Sequence, residues 1–132
     1  MSGHYHAVLW IDHREARIFH FNADTAEEQH VHSADAPRQL HVKAGSISGT
    51  HVANEPIFYR DVAKAIADAQ EVLVTGPSTA KAEFVKYVHK HTPHLMERIA
   101  GIETLPQVTD NQLLAEARKF FAHADRMRPQ RG

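Results

Sequence analysis

The chain has 132 residues, of which 42% are hydrophobic, and this is enough for one core but short for two domains. Lys and Arg number 15 against 16 Asp and Glu, so a formal charge of -1 gives no uniformly basic surface, and charge alone indicates no partner. The absence of cysteine excludes disulfides and thiolate metal sites. Histidine is frequent, with 12 residues, so mild acidification would make the chain strongly positive.

Three strands are predicted in the first third of the chain. Residues 5–12 form a compact apolar stretch, residues 16–21 alternate with period two, and the polar run 27–32 suits an edge strand. From 33 to 54 the apolar periodicity disappears while glycine, proline and serine accumulate. This predicts a loop of about 20 residues, a length typical of functional or disordered loops.

The first predicted helix begins at a capping signal, and a buried strand follows it. Asn54 is predicted to cap the helix, with Pro56 in its first turn. Residues 71–75 are a short continuous apolar run, which is typical of a strand buried on both faces.

The rest of the chain continues the alternation of helix and strand. Residues 76–79 open a second helix, whose inward face is predicted to include Ala80, Phe84, Val88 and His91, the last as a core histidine. A last strand is predicted at 98–105, and a capping box at 109–112 starts a third helix.

The order of these elements predicts an α/β fold. Opening hairpins demand antiparallel strands, and the later helical crossovers demand parallel ones. One mixed five-stranded sheet in the order 3-2-1-4-5, with helices on both faces, satisfies both requirements. We expect a single domain over residues 1–125, including the long loop 33–54, and a basic, disordered tail at 126–132.

Several segments carry a resemblance to known proteins. The segments VLVTGPSTAKAEF (72–84), GIET (101–104), TDNQLLA (109–115) and ARKFF (117–121) resemble small stand-alone bacterial translational machinery proteins. LWID (9–12) followed by ARIF (16–19) fits the same resemblance. These proteins in turn resemble the middle domain of the eukaryotic and archaeal class I release factors and of Pelota.

The resemblance implies an RNase H-like fold and a translation-associated protein that binds the ribosome or structured RNA. In full-length release factors this domain carries a Gly-Gly-Gln loop between the third strand and the first helix. The matching stretch 40–51 is basic and contains glycine but lacks Gly-Gly-Gln. The expectation is therefore a release factor-like protein without peptidyl-tRNA hydrolase activity of its own.

Two sets of residues are candidates for RNA contact. The long loop offers cations, imidazoles and hydroxyls that suit phosphate and ribose oxygens: Arg38, His41, Lys43, Ser46, Ser48 and His51. The last helix and the tail add cations that would give salt-sensitive binding: Arg118, Lys119, Arg126 and Arg128. A merely solvated loop and helix end would have the same composition without any ligand.

A third candidate is an anion site at the start of the second helix. Ser78 and Thr79 would add hydroxyl donors to the free amides there, and Lys81 opposes the helix dipole unless an anion is bound. The same residues also suit a helix start with no ligand.

The main alternative function is a metal-dependent hydrolase. His30 and His32 share one face of the third strand, and His41 or His51 from the loop would complete a set of three imidazoles for a divalent metal. Chance proximity is the competing explanation in a chain so rich in histidine. No other cofactor is expected. The sequence has no recognisable nucleophile motif, which favours a protein that is not an enzyme.

Partners and location complete the expectations. The exposed third strand is a candidate for self-pairing, which would give a homodimer through the sheet edge. No signal peptide, membrane span or membrane partner is predicted, so we expect a cytoplasmic protein.

Overall fold

The computed structural model describes residues 6–22, 24–33 and 47–127, without the side chains of 47–55 and 125–127. The strands are β1 (His6–Ile11), β2 (Glu15–Phe21), β3 (Ala26–His32), β4 (Glu71–Gly76) and β5 (Ile99–Thr104). The helices are α1 (Ile47–Ile66), α2 (Ala80–His91) and α3 (Asp110–Met127), and a 3-10 helix spans Pro93–Arg98. Within the described residues, no helix combines the length and the apolar character needed to cross a bilayer.

The strands form one mixed sheet in the order β3-β2-β1-β4-β5. β1 and β2 pair antiparallel, as do β2 and β3, because short polar turns connect them. β1 and β4 pair parallel, as do β4 and β5. The reason is that α1 carries the chain back from the end of β3 to the start of β4, and α2 lies on the connection from β4 to β5. The predicted α/β fold and strand order are confirmed.

Alternation along β1 gives the sheet two buried faces. Leu9 and Ile11 face a core that α1 and α2 complete, whereas Val8 and Trp10 face a second core that α3 completes. Because both faces of the central strands are covered, β1 and β4 are buried from their second residue onward. The prediction of helices on both faces is also confirmed.

The first helix begins earlier than its capping signal predicts. α1 starts at Ile47 rather than near Asn54, and Pro56 lies inside it. The predicted loop 33–54 is therefore wrong for residues 47–54, whose backbone is helical. Pro56 is the tenth residue of this 20-residue helix, where a proline removes one backbone hydrogen bond and its ring crowds the carbonyl four residues earlier, so α1 continues through a position that usually ends or bends a helix.

Two predictions about helix ends are also wrong. His91 was expected in the core but is exposed, with its ring 4.4 Å from that of Tyr87. Leu95 from the 3-10 helix belongs to the same core cluster as Val88, so the end of α2 needs no further core side chain. α3 continues through Met127, so residues 126 and 127 of the predicted tail are helical, and residues 128–132 lie outside the described part.

Candidate functional site

The carboxyl ends of β1 and β4 lie side by side at one end of the sheet. The Thr75 hydroxyl donates to the Leu9 carbonyl over 2.8 Å, and Gly76 approaches the backbone of Ile11 so closely that a Cβ would lie 2.2 Å from its oxygen. Binding sites of open α/β sheets commonly form outside the carboxyl ends of the strands. This end of the sheet is therefore the candidate binding site.

The turn between β1 and β2 closes this end of the sheet. Asp12 Oδ1 accepts hydrogen bonds from the backbone N–H groups of Arg14 (2.8 Å) and Glu15 (2.9 Å), which makes Asp12 a turn-forming residue. Ser33, immediately after β3, donates its backbone N–H to the Arg14 carbonyl over 3.0 Å. The chain therefore leaves β3 beside this turn and enters the segment 34–46.

Glu83, in the first turn of α2, connects this helix to two other parts of the fold at this end. Its Oε1 accepts from the Tyr59 hydroxyl of α1 over 3.1 Å and lies 3.3 Å from His13 Nε2 in the β1–β2 turn. Its Oε2 accepts from the Thr79 hydroxyl over 3.3 Å. The carboxylate thus joins α1, α2 and the turn. Sequence reasoning missed this cluster, because its members are distant in the chain and form no motif.

Glu83 also bears on the predicted anion site. A carboxylate in the first turn of α2 already supplies the negative charge that the helix dipole favours. Lys81 Nζ donates to the Ser78 carbonyl over 2.7 Å, which accounts for a cation at this position without any ligand. Ser78 and Thr79 are exposed. Anion binding by these three residues stays a prediction.

The predicted metal site is only partly within the described residues. The rings of His30 and His32 stack with centroids 5.9 Å apart on β3. His30 Nε2 lies 3.4 Å from Glu28 Oε2, and His32 Nε2 lies 3.9 Å from Glu15 Oε1. No group of three ligating side chains suited to a metal occurs in the described part of the chain, and His41 lies outside it. The hydrolase alternative stays a prediction, which metal analysis of untagged protein tests.

Some of the residues predicted to contact RNA lie within the described part of the chain, and the others lie outside it. Arg118 donates from one Nη to the Asn22 carbonyl over 3.1 Å and stacks over the Phe21 ring, so it joins α3 to the β2–β3 turn. Lys119 is exposed. Ser48 and His51 belong to α1, and Arg126 belongs to α3; only their backbone is described. The remaining candidates lie outside the described residues: Arg38, His41, Lys43, Ser46 and Arg128.

No protein-family model matches the chain, and no curated protein sequence matches it either. Solved structures do match. Archaeoglobus fulgidus Pelota has a TM-score of 0.62 at 13% identity, covering 89% of this chain and 32% of Pelota. The archaeal translation termination factor aRF1 has a TM-score of 0.54 at 14% identity, covering 92% of this chain and 41% of aRF1. S. cerevisiae Dom34, a translation termination-like factor involved in RNA quality control, has a TM-score of 0.58 at 8% identity.

The match to Dom34 covers 86% of this chain and 32% of that protein, so the chain spans about a third of Pelota and of Dom34. Identities this low show the fold alone. Almost the whole chain is therefore folded like a part of the Pelota, Dom34 and archaeal release factor structures.

Proposed function

We propose that this protein acts in translation by binding the ribosome or structured RNA through the segment that joins β3 to α1. The observation that carries the proposal is the likeness of nearly the whole chain to Pelota, to the translation termination factor aRF1 and to the translation termination-like factor Dom34. A shared fold does not by itself fix a function, so the proposal also rests on the residues of this segment. The proposal includes a cytoplasmic location, and in it the sheet and its helices serve as the scaffold for this segment.

The segment 34–46 and the first turns of α1 have the side chains that RNA backbones require. Arg38 and Lys43 bring positive charge to phosphate oxygens, and His41 and His51 add ring N–H donors. Gly45 lets a backbone approach closely. Ser46 and Ser48 bring hydroxyls that suit ribose oxygens.

The described residues support a fixed base for this segment. β3 ends beside the β1–β2 turn, where the Ser33 amide bonds to Arg14. α1, which follows the segment, is tied to the same turn through Tyr59, Glu83 and His13. The segment therefore begins at a point that a hydrogen bond fixes, and it leads into a helix whose later part is tied to the same turn.

Peptidyl-tRNA hydrolysis is not part of the proposal, because residues 33–54 contain no Gly-Gly-Gln. We expect the protein to bind without releasing a peptide from stalled ribosomes. A release assay with purified ribosome complexes checks this, and release at the rate of a full termination factor would contradict it.

Ribosome cosedimentation tests binding. The variant Lys43→Ala/His41→Ala/His51→Ala should bind at least about tenfold more weakly at low salt, because it loses a phosphate contact and two donors. The matched control is Lys90→Ala/His89→Ala/His94→Ala, which removes the same residue types from the exposed end of α2 and the 3-10 helix. An equal loss in both variants, or binding unchanged in the first, would remove the segment from the proposal.

A further inference from the structure

β3 is the outermost strand of the sheet beside β2, and its side chains are exposed except for Val31, which is half-buried. It pairs with β2 over its whole length with no register shift. Edge strands that avoid pairing commonly carry a proline, a lysine or a bulge, or are very short. β3 spans Ala26–His32 and has no proline, lysine or register shift, and its only charged residues other than histidine are Glu27 and Glu28. Among the described residues, no strand pairs with its outer side.

The hydrogen bonds at the two ends of the hairpin fix which backbone groups point outward. Asn22 donates to the Thr25 carbonyl and Ser33 donates to the Arg14 carbonyl, each over 3.0 Å. In an antiparallel pair such hydrogen-bonded positions alternate with positions whose groups point away from the partner strand. The residues of β3 that direct N–H and C=O outward are therefore Ala26, Glu28, His30 and His32.

These outward positions are complementary to themselves. In an antiparallel pair of two β3 strands, outward positions must face outward positions. The two-fold axis must therefore lie between the two copies of one residue, so that this residue faces its own copy. An axis at Gln29 is the choice that pairs the strand over its full length. It places Glu28 of each copy opposite His30 of the other, and Ala26 opposite His32.

The neighbouring registers are less favourable. An axis at Glu28 would set that carboxylate against its own copy, and an axis at His30 would set imidazole against imidazole. Both also shorten the paired region. In the register centred on Gln29, the side chains of that residue meet across the axis, where each amide can donate to and accept from the other.

We infer that two copies of this chain associate through antiparallel pairing of β3 with β3, centred on Gln29, so that one sheet runs through both copies. The inference depends on the geometry of the strand and not on the proposed function. Glu28 and His30 already lie 3.4 Å apart within one chain, so pairing adds cross-strand contacts between groups that are already adjacent. On β2, Arg17 lies directly opposite His30, and its guanidinium forms an ion pair with Asp110 over 2.8 Å.

A charge-exchange experiment tests both the pairing and its register. Glu28→Lys sets a lysine against His30 of the other copy, and His30→Glu sets two carboxylates together, so each variant should weaken the dimer at least about tenfold. When the two variants are mixed, the introduced lysine of one chain faces the introduced glutamate of the other, and the unchanged His30 faces the unchanged Glu28. The mixture should therefore regain the dimer. Analytical ultracentrifugation of each variant and of the mixture measures this. Glu97→Lys, an exposed charge reversal on the 3-10 helix, is the control.

A proline substitution separates pairing from folding. Glu28→Pro removes an outward N–H that β2 does not use, so the variant should be monomeric, with a Tm close to that of the parent protein at a concentration where the parent is also monomeric. Gln29→Pro removes an N–H that bonds to β2 and should lower the Tm clearly. A parent protein that stays monomeric at high protein concentration overturns the inference. Variants that dimerise as well as the parent, or a mixture that does not recover, overturn the register.

Discussion

Gly76 is the residue at which the backbone leaves no room for a side chain. Its φ is +156°, and an added Cβ would lie 2.2 Å from the Ile11 carbonyl oxygen, which belongs to a buried central strand. Neither backbone can move away without separating β1 from β4. The Gly76 carbonyl also accepts from the amide of Leu105 over 2.9 Å, so its position is fixed on the other side as well.

We therefore expect Gly76→Ala to lower the free energy of unfolding by about 2 to 3 kcal/mol, measured by urea denaturation. Gly101→Ala is the matched control, because its Cβ would meet Phe120 Cζ at 2.8 Å, the end of a ring that can turn aside. A smaller loss is expected there. Equal losses at the two positions would contradict the backbone origin of the effect.

Most of what sequence reasoning missed consists of contacts between residues that are distant in the chain. Arg17 is buried although it is a cation, because it stacks over Trp10 at 4.8 Å and bonds to Asp110 and to the Val108 carbonyl. The strand pattern alone shows Arg17 only as a polar position. The Glu83 cluster was missed for the same reason. Such contacts depend on where α3 and α1 pack, and periodicity does not specify that.

At the level of elements, the sequence predicted what depends on local chemistry. The capping box of α3 is present: the Gln112 amide donates to the Thr109 hydroxyl over 3.1 Å, and Gln112 Oε1 accepts from the Thr109 amide over 2.9 Å. The strand order followed from connection rules. The start of α1 could not be predicted, because Asn54 and Pro56 form a good start signal that the longer helix overrides.

β5 and α3 meet at a carboxyl group whose pKa is shifted. Burial, followed by the nearby Glu116, raises the pKa of Glu103 above its ordinary value of 4.5, and Lys119 opposes this in part. A raised pKa in the folded state means that folding favours the protonated form. As pH rises from 4.5 through the raised value, the folded protein must lose a proton that it holds more tightly than the unfolded chain does. Stability from this group therefore falls over that window.

Glu103→Gln removes this titration. We expect the variant to have a higher Tm than the parent protein at pH 7, where the carboxylate is charged, and a nearly equal Tm at pH 4, where both states are protonated. Thermal denaturation at the two pH values measures the difference. Glu97→Gln, on the exposed surface of the 3-10 helix, is the control. A gain in Tm that is the same at both pH values would show that charge is not its cause.

For the whole molecule, we predict that the two cores and the proposed binding segment are separable. Each core consists of side chains from the sheet and from helices within the described residues, and α1 contributes from Phe58 onward. The hydrogen bonds that close the end of the sheet, from Ser33 to Arg14 and from Tyr59 to Glu83, join described residues on either side of the segment 34–46. We therefore predict that function in the segment and stability in the scaffold depend on different residues.

Replacing residues 34–46 by a glycine-serine segment of equal length tests this separation. Equal length leaves the loop-closure entropy nearly unchanged, so the Tm should shift by less than about 3 °C. Ribosome binding should fall at least about tenfold, because Arg38, His41 and Lys43 are lost together. A protein that keeps both its Tm and its binding would move the interface to the exposed cations of α3, such as Lys119. A protein that unfolds would show that the segment is part of the core, which would contradict the separation itself.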